Sequence, residues 1–153
     1  MVPRIHQPML PLVALLALSG SASAQIADVI RPDRRGDFRS LLIGGPRGDT
    51  LQRYWLVVDR DPGGLWCRDP AWRVVAALRL GAVLEADLQE PRLPALLNRQ
   101  GVPYLRVRVK PMDILRDHGL VAQGKELSCA VRANMNFLAP IQPDSLGSAR
   151  LRP

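Results

Sequence analysis

The strictest alternation of apolar and polar positions runs through 104–110 (YLRVRVK), where Leu105, Val107 and Val109 point one way and Arg106, Arg108 and Lys110 the other. A period of two with one apolar face predicts a half-buried antiparallel strand. Shorter pieces of the same kind precede it. The stretch 54–59 (YWLVVD) is rich in β-formers and stops at the turn signal RDPGG, after which come LWCR and a second turn, DPAW. The run VVAALRLGAVLEADL splits into two strands at Leu80-Gly81. Alanine and leucine also favour helix over 72–80, but the span between Pro70 and Gly81 is short and Val74 and Val75 are β-branched. LSCAVRA and FLAPI close the series. Two long loops, QEPRLPALLNRQGVP and PMDILRDHGLVAQGKE, flank the alternating strand, the second with room for one helical turn. The expected fold is mostly β, five or six short antiparallel strands in a small barrel or sandwich.

Outside that series the pattern changes. Residues 25–53 mix Arg, Asp, Gly and Pro around two short apolar pieces, so they read as a basic, largely irregular leader in which LLI is the piece able to add an edge strand. The polar, turn-rich end, 144–153, reads as a flexible tail. At the start, Arg4 and His6 precede an apolar run over 9–18, and Ala22-Ser23-Ala24 follow it. That is the form of a secretory signal peptide, 1–24. Its run is about half the ~20 residues a bilayer needs. No cysteine sits at the cleavage site and no second hydrophobic run follows, so no membrane span is expected after cleavage. The protein is expected to cross the inner membrane and act in the periplasm or outside the cell.

That compartment changes the meaning of the two cysteines among the 153 residues. An even pair in an oxidising space makes a Cys67–Cys129 disulfide the default, with two separately buried thiols as the alternative. The net charge of +7 is spread along the chain and lacks the concentrated stripe with stacking aromatics of a nucleic-acid binder. It suits solubility and loose attraction to anionic envelope polymers. Catalytic chemistry is sparse. After cleavage one histidine, His118, remains in the loop RDHGL, and a Cys–His nucleophile needs an oriented third group and a free thiol. No metal site is expected, because Asp59 and Asp61 stand in a turn without the further ligands of a calcium loop. LIGGPRGD lacks the Lys-Ser/Thr of a phosphate loop, and no cofactor is expected.

Taken in order, GLWCRDP, VVAALRLGAVLEAD, YLRVRV and CAVRANMNFLAPI resemble the bacterial SH3-type (SH3b) domain. Leu65, Cys67, Arg68 and Pro70 match that family's L-N-V-R-x-G-P, and Val74, Val75, Leu78 and Gly81 its V-I-G-x-L-x-x-G. Val107 matches the third motif, and Val131, Phe137 and Leu138 the last. The resemblance covers 54–143. Asp69 stands where the family has glycine, Ala130 where it has a tryptophan, and the loops 89–102 and 111–126 are longer.

The resemblance implies an SH3-like barrel with Leu65 and Cys67 inward and Trp66 and Arg68 outward. Cys67 would take the place of a core valine and be stapled to Cys129 on another core strand. It also implies an aromatic ligand cleft, for which Trp66, Trp72, Tyr104, Asn136 and Phe137 are the candidates, with Arg106 beside them to meet an anionic ligand. The competing reading is that the tryptophans cover the barrel and that Arg106, Arg108 and Lys110 form a solvated face. The expected function is a non-enzymatic binding module of the cell envelope that recognises peptidoglycan peptides or a partner protein. The alternatives are an accessory periplasmic protein docked on a larger assembly and, below it, a small hydrolase or hydrolase regulator.

Overall fold

The computed structural model describes residues 29–45, 48–88, 94–115 and 126–142. Residues 1–24, read above as a signal peptide, His118 and the expected tail 144–153 lie outside the described residues. Within them the fold is mostly β and antiparallel. Ten strands follow in order: β1 (Leu42–Ile43), β2 (Thr50–Leu51), β3 (Tyr54–Val57), β4 (Leu65–Arg68), β5 (Val74–Leu78), β6 (Val83–Ala86), β7 (Leu96–Arg99), β8 (Val102–Val109), β9 (Leu127–Arg132) and β10 (Leu138–Ile141). A single 3₁₀ turn, Pro111–Asp113, accompanies them. β1 and β2 pair with each other, and the other eight form one sheet in the order β10-β3-β6-β8-β9-β4-β5, with β7 also on β8.

β8 organises the sheet because its alternation leaves Pro103, Leu105, Val107 and Val109 buried along one face. Six residue pairs join one edge of β8 to β9. The other edge is shared, its first half with β7 and its second with β6. The alternating faces of β4 follow expectation, with Leu65 and Cys67 buried and Trp66 exposed. The split in the VVAAL–VLEA run also falls where the glycine predicted it.

Two expectations need correction. The strand count exceeds five or six, and the hydrogen-bonded path does not close into a barrel, since β10 and β5 stand at its two ends. Both ends are protected instead. The Leu115 N–H donates to the Ala77 carbonyl at 2.8 Å and the Arg79 N–H to the Asp113 carbonyl at 3.1 Å, which covers β5. On β10, Pro140 has no N–H and the Leu138 N–H is already donated to the Asn134 carbonyl at 2.9 Å.

The additional sheet strand, β7, comes from a stretch that reads as loop. Gln100 and Gly101 have φ of 52° and 81°, a two-residue hairpin turn whose twist suits the flanking strands, and the Asn98 side chain accepts the Gly101 N–H at 2.9 Å.

The leader segment is short of regular structure yet packs into the sheet. Phe38 is buried edge-on against Trp55, with ring centroids 4.9 Å apart. Beside them the buried Asp37 carboxylate accepts from Arg132 at 2.6 Å and from Asn134 Nδ2 at 2.7 Å. Removing it leaves a cation beside an apolar wall. Asp37→Ala is therefore expected to cost about 2 kcal/mol, discounted from a fully buried pair because Arg132 keeps some solvent, as urea unfolding would read. One turn earlier, the Arg39 guanidinium and the backbone N–H groups of Asp37 and Arg35 hold the Asp33 carboxyl down to about 2. Its folded value lies below the ordinary 3.8, so its stabilising contribution is complete above that pH and disappears as the pH falls toward 2. An NMR titration of the Asp33 side chain is expected to show that low midpoint.

The two cysteines form a disulfide, with Cα atoms 5.6 Å apart and a sequence separation of 62. Both are buried. The bond spans a sparse seam, for β4 and β9 share a single residue pair, Arg68 with Ala130.

Candidate functional site

The outward face of β7, β8, β9 and β4 carries the large polar and aromatic side chains that the core excludes. Register fixes their rows. Leu97, Tyr104 and Arg132 lie across from one another, and Arg106, Ala130 and Arg68 form the next row. Trp66 precedes Arg68 by two positions on β4 and is 56% exposed. Ala130, on the same face, is only 5% exposed, so the longer side chains around it roof it over.

Trp72 reaches this face from the turn between β4 and β5. The Trp72 N–H donates to the Asp69 carbonyl at 2.8 Å, and the Asp69 N–H to the Arg73 carbonyl at 2.9 Å. The Arg73 backbone N–H, together with its guanidinium, holds the Asp69 carboxyl below its ordinary value. This arrangement puts Trp72 at φ 70°, a left-handed conformation normally given to glycine and rare for a bulky residue. The strain is of order 1 kcal/mol. What it secures is the position of the indole, which stands edge-on to Tyr104 with ring centroids 4.6 Å apart. Trp72→Gly is expected to leave unfolding within about 1 kcal/mol of the parent, because relief of that strain offsets the lost ring contact. Equilibrium denaturation checks it.

Guanidinium groups complete the surface. Arg99 Cζ lies 4.3 Å from the Trp72 ring centroid, and Arg132 Cζ 5.9 Å from that of Tyr104. Arg68 Cζ lies 5.6 Å from the Trp66 ring, and its Nη1 donates to the Trp72 carbonyl at 3.2 Å. Each guanidinium gains cation–π attraction from its ring; Arg132 also donates to the Pro103 carbonyl and to Asp37, whereas Arg99 is exposed and Arg68 donates to a single backbone carbonyl.

The structure brings together Trp72 and Tyr104 and links Trp66 to them through Arg68. It separates the other three candidates from that group. Arg106 sits on the right face, but its guanidinium pairs with Asp87 at 3.3 Å and donates to the Asp87 carbonyl at 3.2 Å. Asn136 is exposed in the turn after β9, where its N–H donates to the Asn134 side chain at 3.0 Å. Phe137 packs against the core, and its carbonyl accepts the Val58 N–H at 2.9 Å. Among the described residues the ring pairs are Phe38–Trp55 and Trp72–Tyr104.

Sequence reasoning passed over Arg99 and Arg132. Alternation through the β7–β8 hairpin would have placed Arg99 on the face of Tyr104, had Gln-Gly been read as its turn, whereas Arg132 reaches that face through the β8–β9 register, which pairs it with Tyr104. Among the described residues no group of three or more His, Cys, Asp or Glu side chains could hold a metal ion, and no helix is long and apolar enough to cross a membrane. No protein-family model matches the chain, and neither a curated protein nor a solved structure is similar to it.

Proposed function

We propose that the protein is a non-enzymatic binding module of the SH3b type, acting beyond the inner membrane on a component of the cell envelope. Its ligand is a peptidoglycan peptide or an extended segment of a partner protein. The observation that carries this reading is exposed Trp66, linked through Arg68 to the Trp72–Tyr104 pair, with Arg68, Arg99 and Arg132 each set over a ring along the same sheet face. Large rings offer contact area at small entropic cost, and guanidinium groups already held against rings lose little further freedom on binding. The disulfide supports an oxidising compartment. A second reading, an accessory protein docked on a larger assembly, draws on the cross-strand pair Leu42 and Leu51, 57% and 49% exposed on the β1–β2 hairpin.

Co-sedimentation with purified peptidoglycan sacculi at low and high salt tests the first reading. Saturable binding that survives salt and is lost in a folded Trp66→Ala, Trp72→Ala variant is the expected result. Binding that is absent, or salt-sensitive and indifferent to those substitutions, turns the search to the β1–β2 hairpin and a protein partner.

A further inference from the structure

Most arginines on the outward face of the sheet are neutralised within the fold. Arg106 is paired with Asp87 at 3.3 Å, Arg108 with Glu85 at 2.8 Å and Arg132 with Asp37 at 2.6 Å. Arg53, at the entrance to β3, is bonded to Glu85 at 2.6 Å. Arg68 and Arg99 differ from these. Among the described residues, Arg99 has the Trp72 ring as its neighbour at 4.3 Å, and Arg68 has the Trp66 ring and the Trp72 carbonyl. Among the described residues neither meets a carboxylate. Both flank the one aromatic residue that the backbone holds in a left-handed conformation.

We infer that Arg68 and Arg99 form an anion-recognition pair on either side of Trp72, and that the anion is a carboxylate carried by a peptide. The inference rests on the binding reading above and names what that face recognises. A guanidinium held beside an indole can still offer the two parallel N–H···O bonds that a carboxylate accepts. Arg68 is fixed a second way, by its bond to the Trp72 carbonyl, so one turn positions both cations. Trp66, beside Arg68 and open to solvent, supplies stacking area for the body of a ligand whose charge sits at Trp72. A neutral ligand would leave two desolvated cations unpaired, which selects against it.

The test uses the full chain with its disulfide intact and three preparations of sacculi: native, amidated at the free carboxyl groups, and stripped of phosphate-bearing polymers. Alongside run Arg68→Gln, Arg99→Gln together, Arg99→Lys alone, and a charge-matched control, Arg31→Gln, Arg34→Gln, which removes two exposed cations outside the face. Amidation of the sacculi and the Arg68, Arg99 double variant are each expected to weaken binding at least tenfold. Arg99→Lys should weaken it measurably despite its retained charge, while phosphate removal and the control pair leave it within twofold. Unfolding midpoints equal to the parent exclude loss of fold. The inference falls if amidation changes nothing while Trp66→Ala still abolishes binding, in which case the binding reading stands with a neutral ligand. It also falls if phosphate removal carries the loss, or if the control pair weakens binding as much as the Arg68, Arg99 pair. Parent protein that binds no preparation overturns inference and reading together.

Discussion

Replacing Cys67 and Cys129 together by alanine is expected to lower the free energy of unfolding by about 4 kcal/mol, the chain-entropy value for closing a loop of this length. The bond joins residues 62 positions apart in sequence. Its location adds to the expectation. β8 and β9 are tied by six residue pairs, but β9 and β4 by one, so on its β9 side the β4–β5 hairpin is held by the Arg68–Ala130 pair and the disulfide, and on its other side by the bonds of Leu115 to Ala77 and of Arg79 to Asp113. Without the bond, that hairpin keeps its own ladder and loses much of its tether. The same change is expected on reducing the parent protein, which separates the covalent effect from the effect of deleting two sulfur atoms from the core. Urea unfolding of parent, reduced parent and double variant decides the matter. Coincident midpoints for the oxidised and reduced parent would show that the seam holds without its bond. Because Trp66, Arg68 and Trp72 all belong to the hairpin that the bond ties to β9, the reduced protein should also show a changed indole emission before global unfolding.

The second large effect concerns Phe38. Its ring is buried, 4.9 Å from Trp55 and nearly perpendicular to it, and Ile30 and Leu41 bury beside it in the same core. Phe38→Ala removes a large ring from a close-packed place and should cost about 3–5 kcal/mol. By contrast Leu42→Ala, at an exposed position on β1, should lie within about 0.5 kcal/mol of the parent. The contrast tests whether the segment ahead of β3 is part of the folding unit. If Phe38→Ala behaves like Leu42→Ala, the segment is an appendage and the core is complete without it. Since Asp37 is adjacent and bonded to Arg132 and Asn134, the polar and apolar anchors of this segment are coupled, and a double substitution should cost less than the sum of the two singles.

Much of the sheet was legible in the chain because burial on one side writes itself as alternation. The series in β8 could hardly be read otherwise, and the inward Cys67 and outward Trp66 of β4 followed from the same period. What escaped was set by geometry that no period records. β7 depends on a Gln-Gly turn that is weaker as a signal than Asn-Gly. The burial of Phe38 depends on Trp55, seventeen positions later, offering its ring edge, while the residues around Phe38 are charged or small. The open path of the sheet depends on which strands meet, and single strands carry no mark of that.

The site was legible in kind and only partly in membership. Aromatic residues expected at the surface include Trp66, Trp72 and Tyr104, which do share a face. Phe137 was grouped with them by its place in a motif, yet it packs against the core because the turn after β9 folds toward β3. Arg106 was chosen for its outward position, and position alone could not reveal the neighbouring Asp87. The cations that do border Trp72 come from β4 and from a strand that looked like loop.

The pairing of β3 with β10 bears on how the molecule comes into being. The Gln52 side chain, just before β3, bonds to the Ile141 carbonyl across 89 positions, and the strands beside it are joined over nearly the same distance. Closing so long a loop precedes any gain from the contacts it permits, which places folding in the millisecond-to-second range rather than the microsecond range. Ribosomal synthesis delivers β3 well before β10. Until β10 emerges, Trp55 can pair with β6 but has one wall of its surroundings missing.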